Sequence, residues 1–97
     1  MKKNKACELL ETERKNIDRI DGEIIMLLEK RSRVVRNIGL IKKEAGISVY
    51  QPGRIEEVIR SRRAAAVRCG ISPDMVEDLF RKVISESSDL EKSSGAD

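Results

Sequence analysis

Arg14, Asp21, Arg31 and Lys42 fall on one line of a helix. Taken in alternating steps of four and three from Leu10, the chain reads Leu10, Arg14, Ile17, Asp21, Ile24, Leu28, Arg31, Val35, Ile38 and Lys42. Such a seam faces a partner helix. Arg31 also belongs to the neighbouring stripe of Ile20, Ile24, Leu27, Val34, Ile38 and Ile41, which places it near the middle of the apolar face. A charge there costs several kcal/mol unless it is paired or serves a ligand. For Arg14 and Lys42, near the helix ends, pairing with Asp21 or snorkelling into solvent explains the pattern as well as a ligand does. One acid cannot neutralise three separated bases, however, so the face carries surplus positive charge. Such a cluster suits a small polyanion, a dicarboxylate or a phosphate ester. Near the other end of the chain, the stripe Val76, Phe80, Val83 continues in register to Ser87 and Glu91. Read structurally, that is a helix fraying into solvent; read functionally, it sets a hydroxyl and a carboxyl beside the cations.

The remaining inventory excludes most other chemistry. The 97 residues contain no His and no Trp, and Tyr50 and Phe80 are the only aromatics. A His general base, a Ser-His pair, a His-ligated metal and an aromatic platform for stacking bases are therefore all absent. Lys and Arg number 20 against 17 Asp and Glu, and 20 − 17 gives a net charge of +3. That is too little to argue for a nucleic-acid surface. The basic run Arg60-Ser61-Arg62-Arg63 points in several directions on a helix and reads as a solvated face. Cys7 and Cys69 stand far apart with no C-x-x-C, which indicates neither zinc site nor disulfide framework, and the expectation is a reduced, cytoplasmic protein. The longest apolar run, Ile24 to Leu28, is far short of a membrane span. The basic start, Met1 to Lys5, leads into an acidic stretch and not into an export signal.

The elements that must position these residues are helical. No Pro occurs between Glu8 and Glu44, and Gly46 follows as a helix cap. Residues 47–53, with Gln51-Pro52-Gly53, read as a loop. A second helix is predicted from Gly53 to Arg68, ending at Cys69-Gly70. Ser72-Pro73-Asp74 starts a third, with Ser as N-cap and Pro in the first turn, reaching Glu91 and carrying Met75, Val76, Leu79, Phe80, Val83 and Ile84 on one face. A first helix of roughly 37 residues measures ~55 Å, against ~30 Å for a small domain. Two copies pairing along their long helices solve this, so the prediction is an all-α, intertwined homodimer. The alternative is a monomeric bundle folded back at Gly39. The domain is placed at 8–92, between a flexible start (1–7) and a disordered tail (93–97).

The arrangement resembles the all-helical AroQ class of chorismate mutases over nearly the whole chain, from Glu11 to Glu91. Arg14-x-x-Ile17-x-x-x-Asp21, Leu27-Leu28-x-x-Arg31 and Ile38-Gly39-x-x-Lys42 carry the likeness on the first helix. Pro52, Arg54, Leu79-Phe80, Ser87 and Glu91 carry it afterwards. The resemblance implies an interlocked dimer of three-helix protomers converting chorismate to prephenate, on the way to Phe and Tyr, without cofactor or metal. It implies that Arg31, Lys42, Arg54, Ser87, Glu91 and the backbone near Gln51 come from one protomer and Arg14 from the other. Arg14 and Arg31 would clamp carboxylates, Lys42 would donate to the breaking ether oxygen, and Ser87 would help to fix the substrate. No nucleic acid or membrane is implied, and docking onto another pathway enzyme is compatible with the family.

Two positions depart from the family pattern. Where many relatives carry Gln as a donor to the ether oxygen, this chain has Glu91, which donates only when protonated. Where the family often has Glu after the Arg matching Arg54, this chain has Ile55, in an apolar stripe with Val58, Ile59 and Ala66. The apolar residue raises an alternative, isochorismate pyruvate lyase of the same fold, which forms salicylate. A helical dimerisation or regulatory module without catalysis is the other alternative, and the inward cations argue against it.

Overall fold

The helix ends are written locally. Ser72 Oγ accepts from Met75 N at 3.2 Å and caps a helix with Pro in its first turn. At the end of the first helix, Gly46 N donates to Lys43 O (3.3 Å) and Ile47 N to Lys42 O (2.8 Å). This paired motif needs the left-handed backbone that Gly46 adopts at φ +69°. The same bond pattern recurs with Gly70 and Ile71, and again with Gly95 and Ala96. The computed structural model describes residues 1–97. It contains α1 (Lys3–Ala45), α2 (Arg54–Cys69) and α3 (Pro73–Ser93), with no strand. No helix is long and apolar enough to cross a membrane.

The bounds differ from the sequence expectation mainly at the two ends. α1 begins at Lys3, several residues before the predicted start, because nothing in Lys3 to Cys7 opposes helix. It also runs through Gly39 unbroken, so the folded-back bundle is not what forms. Residues 93–97, expected to form a disordered tail, turn back in the capping motif and leave Ala96 only 5% exposed.

The chain divides into two units, Met1–Arg33 and Val34–Asp97. The first is helical from Lys3 and leaves its apolar residues open: Ile17 is 55% exposed, Ile20 50%, Ile24 47% and Leu27 62%.

The second unit joins the last turns of α1 to the α2–α3 hairpin, with Val35, Val58, Ile59, Ala66 and Val76 buried. Of the six apolar residues predicted on one face of α3, Val76 is buried while Met75 and Leu79 stay exposed. Charges brace the hairpin. Arg63 reaches Asp74 and Glu77, both at 2.9 Å, and Arg81 reaches Glu77 at 2.7 Å and Glu56 at 3.4 Å. Arg62 stands 5.6 Å from the centre of the Phe80 ring. The basic run of α2 is therefore not simply a solvated face; two of its members hold α3. The hydrogen bond from Arg81, with help from Arg63, keeps the Glu77 carboxyl below the ordinary carboxylate range despite partial desolvation. Hydrogen bonds to Asp74 and Glu77 correspondingly raise Arg63 and Arg81.

Candidate active site

In the second unit, α1 comes close to α3 at a position where α1 has no side chain. A Cβ on Gly39 would stand 2.9 Å from Ser94 Cβ and 3.0 Å from both Glu91 Cα and Glu91 O. Gly39 is buried, and Lys42 follows one helical turn later on the same side. The close crossing thus delivers Lys42 to Glu91.

Lys42 Nζ lies 2.6 Å from Glu91 Oε1, and the two side chains are only 13% and 12% exposed. By distance this is an ion pair between half-hidden groups. By angle it is not a hydrogen bond, because Glu91 Oε1 is buried with no hydrogen-bond partner. Lys42 instead donates to Val49 O at 3.1 Å, in the loop after α1. The ammonium has three donor hydrogens, so two remain for a further acceptor. The ammonium thus bridges the α3 carboxylate and the backbone of the loop after α1 in a sheltered spot.

Two open hollows lie on α2, α3 and the loop after α1, lined by residues other than Lys42 and Glu91. One, of about 350 Å³, is bordered by Ile55, Arg81, Ile84, Ser88 and Lys92, among others. The other, of about 270 Å³, is bordered by Val49, Gln51, Ile55, Ser88 and Lys92, among others. Both lie near the lower end of the range for small-molecule sites, ~300–1,000 Å³.

The other predicted residues are distributed as follows. Ser87 is half-buried on α3, one turn before Glu91, with its Oγ donating to Val83 O at 2.8 Å. Fraying into solvent therefore does not describe Ser87 and Glu91. Gln51 borders the smaller hollow. Ile55, read from sequence as core, borders both hollows instead. Arg54 is exposed and pairs at 2.6 Å with Glu57 of its own helix, so in this state it is not gathered to the site. Arg14 is exposed and Arg31 half-buried, both in the first unit. Ser88 was missed from sequence. On a helix surface a lone serine carries no signal, and its place beside the hollows appears only once the 46–53 loop has folded.

Comparison with known proteins identifies the family. The profile of the family "Chorismate mutase type II" matches residues 13–92. The T-protein of Haemophilus influenzae is 38% identical over 80 residues, 82% of this chain and 21% of that protein. The T-protein of Enterobacter agglomerans is 37% identical over 84% of this chain and 22% of its own length. The bifunctional chorismate mutase/prephenate dehydratase of Aquifex aeolicus is 36% identical over 88% of this chain and 24% of its length. The chain thus spans about a fifth to a quarter of these relatives. With the profile spanning all three helices and Lys42, Glu91 and Ser87 inside the matched stretch, the chain belongs to the type II chorismate mutase family.

Proposed function

We propose that the chain rearranges chorismate to prephenate. The observation that carries this reading is the sheltered ion pair of Lys42 and Glu91, within the stretch that matches the family. The reaction is intramolecular: an ether C–O bond breaks while a C–C bond forms, and the atoms of the substrate are those of the product. It needs no nucleophile. The protein lowers the barrier by holding the dianion in its compact reactive conformer and by stabilising charge that grows on the ether oxygen. Lys42 donates to that oxygen, Glu91 donates from its other side when it carries a proton, and Ser87 helps to fix the substrate. Arg31 and Arg54 bind carboxylates, and Arg54 leaves Glu57 to do so. Backbone atoms near Gln51 complete the protomer's share.

Arg14 of a second copy completes the site, which makes the working form a homodimer. Support for the second copy comes from the open apolar residues of α1 and from an apolar hollow of about 310 Å³ beside Ala66, Met75, Val76 and Leu79. Burial at ~25 cal/mol per Å² drives such surfaces together. The relatives named as bifunctional mutase and dehydratase support a partner enzyme that consumes prephenate.

Incubation of the purified protein with chorismate and, separately, with isochorismate tests the reading. Prephenate from chorismate is expected, with a 10²–10³-fold loss of kcat in Lys42→Ala and none in the exposed Lys30→Ala. Salicylate and pyruvate from isochorismate alone would assign the lyase reaction, and no turnover of either would leave a binding module.

A further inference from the structure

Lys42 and Glu91 hold the same station in two different helix ends. Each stands four residues before a glycine in left-handed backbone, Gly46 at φ +69° and Gly95 at φ +104°. The carbonyl of each accepts from the residue just after that glycine, Lys42 O from Ile47 N at 2.8 Å and Glu91 O from Ala96 N at 3.2 Å. In this motif the glycine turns the chain back so that the last carbonyls of the helix are paired. Gly70, at φ +73°, ends α2 in the same way, with Ile71 N donating to Ala66 O at 3.0 Å. There the anchored residue is an alanine with no chemistry to place.

Each of the first two turns grips its residue more than once. Beyond Gly46 the chain brings back Val49, whose carbonyl accepts from Lys42 Nζ at 3.1 Å. The same short loop thus holds Lys42 at its main chain and at its ammonium. Around Gly95, Ala96 is buried, and Ser94 N gives Glu91 O a second bond at 3.2 Å. The two anchored side chains meet at 2.6 Å. A Cβ on Gly46 or on Gly70 would meet nothing within 4 Å, so replacing either glycine strains the backbone without a clash. A Cβ on Gly95 would come first against Lys43 Cδ, at 2.6 Å, and that flexible side chain can yield.

Resting on the mutase reading above, we propose that Gly46 and Gly95 are positioning residues for the reaction. Neither offers the substrate a side chain; each acts through the residue that its turn anchors. Groups that stabilise growing charge must stand in place before it grows, and a misplacement of ~1 Å costs about 10²-fold. Lys42 and Glu91 act on charge that appears only in the transition state, so loosening their anchors lowers kcat more than it raises KM.

The three like turns make the test. kcat and KM on chorismate, together with the urea midpoint, are measured for the wild type, Gly46→Ala, Gly95→Ala, Gly70→Ala and Gly46→Asn. Each alanine variant puts a Cβ into left-handed backbone, so all three midpoints should fall. Turnover should separate them. Gly46→Ala and Gly95→Ala are each expected to lose about tenfold in kcat with KM little changed, while Gly70→Ala keeps the wild-type kcat. Asparagine tolerates left-handed backbone, so Gly46→Asn should recover most of the kcat that Gly46→Ala loses. Wild-type kcat in Gly46→Ala and Gly95→Ala, an equal loss in Gly70→Ala, or a Gly46→Asn as slow as Gly46→Ala each overturns the assignment and leaves the mutase reading standing. A wild type inactive on chorismate is a separate result: it defeats the mutase reading, and this proposal with it.

Discussion

Gly39 and Glu91 are in backbone contact: a single added carbon on the first would stand 3.0 Å from the Cα and from the carbonyl oxygen of the second. It would also meet the Ser94 Cβ at 2.9 Å, and neither that carbon nor the main-chain atoms of Glu91 can swing aside. Gly39→Ala gains about 1 kcal/mol of helix propensity but forces overpacking that costs about 1–3 kcal/mol. The steric effect is expected to win, with a lower urea midpoint at unchanged slope. Turnover should fall as well, since the shift moves Lys42 relative to Glu91. A variant as stable as the wild type would show that the crossing tolerates another methyl group.

Glu91 gives a prediction by substitution. A carboxamide of the same size accepts and donates hydrogen bonds without carrying charge. Glu91→Gln is expected to keep turnover on chorismate, whereas Glu91→Ala should lose about 10²-fold in kcat. An alanine variant as active as the wild type would remove Glu91 from the chemistry.

What the sequence discloses is mostly local. Ser72-Pro73-Asp74 announces α3, and Gly46 and Gly70 announce helix ends, because each signal acts within a few residues. The start of α1 carries no capping residue, so the sequence pattern sets it several positions late. The inward charge of Lys42 is legible as an anomaly on an apolar stripe. Its meeting with Glu91 is not, since that contact depends on a helix crossing. Arg62 and Arg63 look like surface cations until α3 supplies Phe80, Asp74 and Glu77. Ile55 illustrates the converse: apolar patterning marks it as core, and only the folded loop makes it a wall of open space.

The placement of Arg14 on a partner chain can be read by mixing two inactive proteins. Arg14→Ala and Lys42→Ala are each expected to be severely impaired. If Arg14 acts across the dimer, a mixed dimer holds one site with both wild-type groups and one with neither. Random reassortment then restores about a quarter of wild-type activity, half of the dimers being mixed and half of their sites intact. No recovery, in a sample shown by native mass spectrometry to contain mixed dimers, places Arg14 in its own chain's site.

Glu77 makes stability depend on acid. Its carboxyl is held below the ordinary range chiefly by Arg81 and then by Arg63, so the folded state binds its proton less readily than the unfolded chain does. The stabilisation is in place above the unfolded value, ~4.3, and is lost as pH falls through the lower folded value. The melting temperature of the wild type should therefore drop between about pH 5 and 3. Glu77→Gln should start lower at neutral pH and converge with the wild type in acid. Parallel curves would mean that the network contributes nothing to the α2–α3 hairpin.

The backbone around Gly95 and Ala96 secures more than its own turn. Ala96 N donates to the carbonyl of Glu91, so the residue facing Lys42 also anchors the final turn of its helix. Disruption of this capping turn would therefore loosen the stretch that carries Glu91 while leaving the ion-paired α2–α3 hairpin in place.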